Sequence, residues 1–384
     1  MSCLCRTGDC TGIFICTIWH INAKWTRQIK NICYNTHMTQ RFGFCCKWLN
    51  DTSEFGGMKV NAKDRELNGR STTMRWLREH KDEAVQRQWD ILTHNTLAAR
   101  RLIQRVGTLP PERRMVRLGS EMLQGYTEKD WKTWWQQPDL QNHLEKLFAP
   151  VGEMARKLDV KISFHPGQFC VLSSATPDIV ERSIEEFEYH ADMARWMGFG
   201  KSFQDGCKIN VHISGKQGPD GIIKALPRLS QEARNLITIE NDEMSHGLDQ
   251  SLMLEKHLAL VLDIHHHWIR DEEYIEATDD RVKRVIDSWR GVRPSMHYSY
   301  SRDEHLAVAG LTDTMHTEMH NMKDLLDRGC KKQKLRAHSD LLPNRKVNDW
   351  ALSFSENFDI QVEAKGKNMA TEQLHRQAKQ TAVI

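Results

Sequence analysis

His165, His212 and His297 each stand at the end of a short β-type run, and Glu240, Asp263 and Glu363 do the same on other runs. Imidazole together with carboxylate is the donor set that holds Zn²⁺ or Mn²⁺. A single histidine of this kind is more often a hydrogen-bonded structural residue, but six metal-type side chains ending six successive runs reverse that expectation. The segment Asp263-Ile264-His265-His266-His267 adds a D-x-x-H pair just past one run, in what reads as an exposed loop. Spacing alone leaves open which of the three histidines binds. Glu240 opens the acidic stretch Glu240-Asn241-Asp242-Glu243, and a central glutamate can bridge two cations about 3.5–4 Å apart, the arrangement that activates water for in-line phosphoryl displacement. Asp242 and Glu243 fit a solvated turn better. His338, in Ala337-His338-Ser339-Asp340, is weak when taken singly.

These side chains need a frame that brings distant residues together. Strand-like runs fall at 41–46 (RFGFCC), 115–120 (MVRLGS), 160–165 (VKISFH), 208–213 (KINVHI), 236–240 (LITIE), 258–263 (LALVLD), 295–298 (SMHY) and 359–363 (DIQVE). Amphipathic helical stretches lie between them, among them 83–106, and 178–197 with Thr176-Pro177 as N-cap and first turn. Eight alternations predict an α/β fold with the sheet closed as a (β/α)8 TIM barrel, an open doubly wound sheet being the runner-up. In such a barrel the C-terminal strand ends share one mouth. Basic residues fall near it in sequence: Arg70, Arg75 and Arg78, then Arg113, Arg114 and Arg117, then Lys331, Lys332, Lys334 and Arg336. With Trp48, Trp76 and Tyr126 they could follow phosphates and stack on bases.

Lys+Arg 54 against Asp+Glu 51 leaves +3, with 39% hydrophobic and 27% charged residues, so most of the chain is globular and carries no global basic field. No apolar run reaches the ~18–20 residues of a membrane span, and residues 1–30 lack the layout of a secretory signal, so the sequence reads as intracellular and cytoplasmic. Seven of the ten cysteines fall in the first 46 residues. Their spacing is not that of a zinc finger, and reduced thiols in a leader are the preferred reading. Residues 1–40 are therefore expected to be a leader, disordered or upstream of the true start, with 1–37 dispensable. Residues 41–370 are expected to form the barrel domain, and 371–384 a polar C-terminal tail that forms a final helix or frays. No G-x-x-x-x-G-K-[ST] loop occurs, so no nucleotide cofactor is implied.

In order along the chain, RFGFCCK (41–47), RLGS (117–120), FHPGQF (164–169), NVHISG (210–215), IENDE (239–243), LDIHHHW (262–268), HYS (297–299), AHSD (337–340) and EAKGK (363–367) resemble the UV damage endonuclease (UvdE) family. That family is a group of metal-dependent barrels related in architecture to endonuclease IV. The resemblance covers residues 41 to about 370. It implies up to three divalent ions, Mn²⁺ first among candidates. His165, His212 and Glu240 would serve one ion; Glu240 would bridge to a second held by Asp263, His297 and Glu363; His266 and His338 would hold a third. Glu240, Asp263 and Glu363 would be the catalytic carboxylates. Gln168 and Phe169 match a Gln-aromatic pair that wedges into duplex beside a lesion, and Phe44, Trp48 and Lys365 would join them in contacting DNA. The family usually carries tyrosine where Phe44 and Phe169 stand, lysine where Ser295 stands, and a polar residue at Trp48.

The function so implied is a DNA repair endonuclease, acting as a monomer on damaged double-stranded DNA. It would hydrolyse the phosphodiester immediately 5′ to UV photoproducts, meaning pyrimidine dimers and 6-4 photoproducts, with abasic sites a further candidate. Two alternatives use similar ingredients. One is a metal-dependent sugar isomerase, which would need neither wedge nor basic loops; the other is a lesion-binding protein without catalysis.

Overall fold

The computed structural model describes residues 39–50, 62–311 and 314–381. The expected leader, up to residue 38, lies outside the described residues. Eight parallel strands follow in chain order: β1 (Phe42–Cys45), β2 (Met115–Arg117), β3 (Lys161–Phe164), β4 (Lys208–His212), β5 (Ile237–Glu240), β6 (Ala259–Val261), β7 (Ser295–Tyr298) and β8 (Asp359–Val362). Each lies within a run read from the sequence, most shorter by one to three residues. Their hydrogen-bonded order is β6-β5-β4-β3-β2-β1-β8-β7, with helices between them on the outside. This is the TIM barrel.

Neighbouring strands pair over registers of two to four residues. The exception is the seam between β6 and β7. There the barrel is closed by a single bridge, Asp263 to His297, and one bond from His297 N–H to the Leu262 carbonyl at 2.9 Å.

Side chains alternate in and out along a strand with period two, and that parity decides what reaches the mouth. In β1, Phe42 faces the outer helices, its ring 5.6 Å from that of His375. Gly43 faces the interior, where an added Cβ would lie 2.6 Å from Met115 Cγ and 2.9 Å from Gln361 Oε1. The interior set is polar: Ser163 on β3, Asn210 on β4, Thr238 on β5, Ser295 on β7 and Gln361 on β8. At its base Asp359 accepts from the Arg41 backbone at 2.9 Å, from Lys161 Nζ at 2.8 Å and from Arg293 Nε at 2.9 Å.

The long helix Lys81–Gly107 shows why apolar periodicity alone misplaces a face. Val85 and Leu97, which the pattern assigns to the apolar side, are exposed, whereas Gln88 and Asn95 are buried. Asn95 Nδ2 donates to the carbonyls of Arg70, Glu121 and Met122, and Gln88 Nε2 donates to that of Gln124. These amides satisfy loop backbone that would otherwise be buried without partners.

The C-terminal stretch forms the helix Asn368–Thr381. Ala370 and Leu374 are fully buried, and Thr371 Oγ1 donates to the Gly43 carbonyl of β1 at 3.1 Å. The helix packs on β1 as part of the barrel domain, which therefore does not stop at residue 370.

Candidate metal centre at the barrel mouth

The strand ends bring His165, His212, Glu240, Asp263, His297 and Glu363 together. Four overlapping trios place one donor atom from each member within 4.8 Å of the others: His165/His212/Glu240, Asp263/His297/Glu363, Glu240/Asp263/His266 and His212/Glu243/His266. Glu240, on the inward face of β5, is completely buried and turns its two oxygens to different partners. Its Oε2 lies 3.3 Å from His165 Nε2, while Oε1 lies 2.9 Å from His297 Nδ1 and 3.3 Å from His266 Nδ1.

Several rings have one nitrogen anchored by the protein. His165 Nδ1 donates to the Pro166 carbonyl at 2.8 Å, which leaves Nε2 to face Glu240. His266 Nδ1 lies 3.0 Å from the Asn241 carbonyl, and its Nε2 lies 3.5 Å from Glu243 and 3.7 Å from Asp263. His212 Nδ1 faces Asp242 Oδ2 at 3.5 Å. Such outer partners fix ring orientation at metal sites.

Asp263 has two tasks. It is the N-cap of the helix Ile264–Asp271, its Oδ1 accepting from the His266 backbone at 2.8 Å, while Oδ2 points into the site. The histidine triplet therefore forms the first turn of a helix with all three residues buried, not an exposed loop. Capping supplied the missing signal: an aspartate before a helical run takes the orphan N–H groups of that turn.

Burial opposes ionisation of Glu240, but the neighbouring imidazoles of His297 and His212 outweigh it and hold the carboxyl well below its ordinary range. Burial raises Asp263 and pulls His165 down to about 4. For His266 burial is outweighed by Asp263, Glu240 and Glu243, which push the imidazole up to about 10. Five carboxylates (Glu240, Asp242, Glu243, Asp263, Glu363) face two guanidinium groups and the His266 imidazolium. Arg117 lies 2.6 Å from Glu363 Oε1 and 2.8 Å from His297 Nε2, and Arg336 Nε donates to Glu243 Oε1 at 2.6 Å. The surplus of buried negative charge attracts cations.

The donor set fits divalent ions on an independent ground. Asp263 Oδ2 is buried with no hydrogen-bond partner, its nearest cationic neighbour being His266 Nε2 at 3.7 Å, and it converges with Glu240 Oε1, His297 Nδ1 and Glu363 Oε1. Buried polar atoms are otherwise almost always paired.

Other expected site residues divide. Gln168 and Lys365 are exposed beyond the ends of β3 and β8, and Phe169 is 85% exposed. Phe44 is not available to a duplex: it is 1% exposed and shares the outward parity of Phe42. Trp48 is half-buried, its ring 5.9 Å from that of Phe44 and 5.2 Å from the Arg105 guanidinium, so it packs instead of offering a free face. His338 donates Nδ1 to the Glu363 carbonyl at 2.9 Å, and among the described residues no trio includes it. His266 is grouped instead with Glu243, which, like Asp242, is not the solvated turn residue expected. Arg113 and Arg114 precede β2 and so belong to the opposite end of the barrel. Arg113 donates to the Asn368 carbonyl and Arg114 to that of Leu109.

The UV-endonuclease UvdE family matches residues 41–384. The chain belongs to the UvdE family. This UvdE chain is 28% identical over 177 residues to a UV DNA damage endonuclease of Bacillus pumilus, a match covering 43% of the chain and 53% of that protein. It is 27% identical over 248 residues to a UV-damage endonuclease of Schizosaccharomyces pombe, covering 62% of the chain and 36% of the relative. The matches thus span about half or less of those relatives' length. Among solved structures, SacUVDE superposes with a TM-score of 0.65 at 20% identity, covering 90% of the UvdE chain and all of the other, which shows a shared barrel fold. An endonuclease IV of Thermus thermophilus aligns with a TM-score of 0.43 at 13% identity, covering 73% of the chain and 93% of the other.

Proposed function

We propose that this protein is a metal-dependent DNA repair endonuclease. It binds damaged duplex as a monomer and hydrolyses the phosphodiester immediately 5′ to UV photoproducts, leaving 3′-hydroxyl and 5′-phosphate ends. The observation that carries this reading is the pairing, in one UvdE barrel, of a convergent His/Asp/Glu cluster with a phenylalanine left 85% exposed on the loop of the first of its histidines.

His165, His212 and Glu240 would hold one divalent ion, and Asp263, His297 and Glu363, with Glu240 shared, a second. His266 with Glu243 would serve a third, the resemblance adding His338. Mn²⁺ is the preferred ion. When bound, such ions supply a hydroxide near neutral pH and stabilise charge on the phosphoryl oxygens. The protein's own share is placement. Glu240 keeps the two donor sets in register, Asp242 orients His212, and Asp263 joins the helix that carries His266. Phe169 and Gln168 open the stack next to the lesion, exploiting the weaker stacking and greater deformability of damaged DNA. Lys365 lies where it can meet backbone phosphate.

Incubation of supercoiled plasmid, irradiated or untreated, with Mn²⁺ or with chelator tests the reading. Nicking confined to irradiated plasmid with Mn²⁺ is expected. Equal nicking of both plasmids, or full activity after chelation, would overturn it.

A further inference from the structure

One step below the candidate ligands, β4 and β5 carry a second cross-strand pair. His212 stands beside Glu240 in the parallel register, and Asn210 stands beside Thr238, two residues earlier on each strand and on the same inward face. Thr238 is completely buried and Asn210 is 5% exposed. Thr238 Oγ1 donates to Asn210 Oδ1 at 2.9 Å, and Asn210 Nδ2 donates to Glu240 Oε2. The three side chains form a directed line from a hydroxyl, through an amide, to the carboxylate between the two donor sets.

We infer that Asn210 and Thr238 are positioning residues that set the plane of the Glu240 carboxylate. This rests on the reading of Glu240 as the carboxylate shared by two ions. A carboxylate can serve two ions only if each oxygen faces its own partners, and rotation about the last side-chain bond would misalign both at once. The Asn210 N–H takes one lone-pair direction of Oε2 and leaves the other toward His165. An asparagine amide has nearly the same shape either way round, so shape alone does not decide which end faces Glu240. The Glu240 carboxylate, which only accepts, draws the NH₂ end, and the Thr238 hydroxyl holds the amide that way round. By donating to Oδ1 it keeps the amide oxygen away from Glu240, where two acceptors would repel, and presents the NH₂ end instead.

The test uses the full chain and Mn²⁺ alone as probe. Outer partners of this kind change metal affinity by about 10–100-fold when lost, so Thr238→Val, which keeps shape and removes the hydroxyl, is expected to weaken Mn²⁺ binding at least about tenfold in calorimetric titration. It is also expected to diminish the electron paramagnetic resonance signal of spin-coupled Mn²⁺ pairs, while the far-ultraviolet circular dichroism stays that of the parent. Thr238→Ser restores the hydroxyl and is expected to recover both readouts. A Thr238→Val protein that binds Mn²⁺ like the parent overturns the inference, and so does a Thr238→Ser protein as weak as Thr238→Val, since the methyl group would then be what matters. Parent protein that binds no Mn²⁺, or binds it equally after Glu240→Gln, removes the shared-carboxylate reading itself and the inference with it.

Discussion

Glu240 joins two donor sets through two oxygens of one side chain, so losing its charge affects both. Glu240→Gln keeps the shape but presents a neutral amide, half of which is a donor aimed at imidazole or metal. Nicking is expected to fall below detection in the plasmid assay while binding to irradiated duplex persists at reduced strength. Near-native turnover with full metal content would refute the bridging role. The role proposed for Phe169 is recognition instead. Base–aromatic stacking is worth ~1–3 kcal/mol, so Phe169→Ala is expected to lower affinity for damaged duplex roughly ten- to hundredfold and to leave Mn²⁺ binding as it was. Fluorescence anisotropy with lesion-bearing and intact duplexes measures this, and an unchanged preference for the lesion would assign Phe169 to packing. Phe44 provides the contrast: an aromatic in a family motif two residues from Phe42 reads as a stacking surface until strand parity turns it into the helical layer.

Elements explain what was legible in the sequence and what was not. The eight strands could be read because short apolar or alternating runs recur between helical stretches, and closure of the sheet then placed six donor residues at one mouth. Glu243 and Asp242 could not be read as buried, since acidic turn residues are usually solvated; the pairing with Arg336 and His212 that buries them crosses loops distant in sequence. The Asn210–Thr238 line was equally hidden, as was the pairing of Arg117, read as a residue that follows phosphates, with Glu363 and His297, because a polar residue in a strand declares its partners only once its neighbours are known. The last helix gives a direct measure of an element's worth. Residues 371–384 read in the sequence as a polar tail that forms a final helix or frays; the structure has a helix through Thr381, with Leu374 fully buried against the barrel. Removing a buried leucine side chain costs ~2–5 kcal/mol, so Leu374→Ala is expected to lower the unfolding midpoint in urea accordingly. A change within about 0.5 kcal/mol would show that the helix docks only loosely.

At the scale of the whole molecule the barrel is laced unevenly, with seven neighbouring strand pairs held by ladders and the eighth by a single bridge. Asp263 and His297 stand on opposite sides of that seam. A divalent ion held by both ties β6 to β7 directly, and a ligand that binds only the folded state at a hundred times its Kd adds about 2.7 kcal/mol of stability. Mn²⁺ is therefore expected to raise the melting temperature over that in chelator. Hydrogen exchange is expected to slow most at the His297 amide, whose bond to the Leu262 carbonyl crosses the seam. A melting temperature indifferent to Mn²⁺ would show that no ion binds the folded barrel preferentially, and a rise without slowed exchange at His297 would place the ions away from the seam. No helix among the described residues is long and apolar enough to cross a membrane.

The seam also bears on how long the protein lasts in a cell. If the ion that does the chemistry also laces the weakest join of the barrel, a molecule that loses its metal is both idle and easier to open, and an opened barrel is what a protease degrades. Metal shortage would then remove empty molecules before they could occupy lesions they are unable to cut. The amount of protein would follow the supply of the ion without any separate regulator.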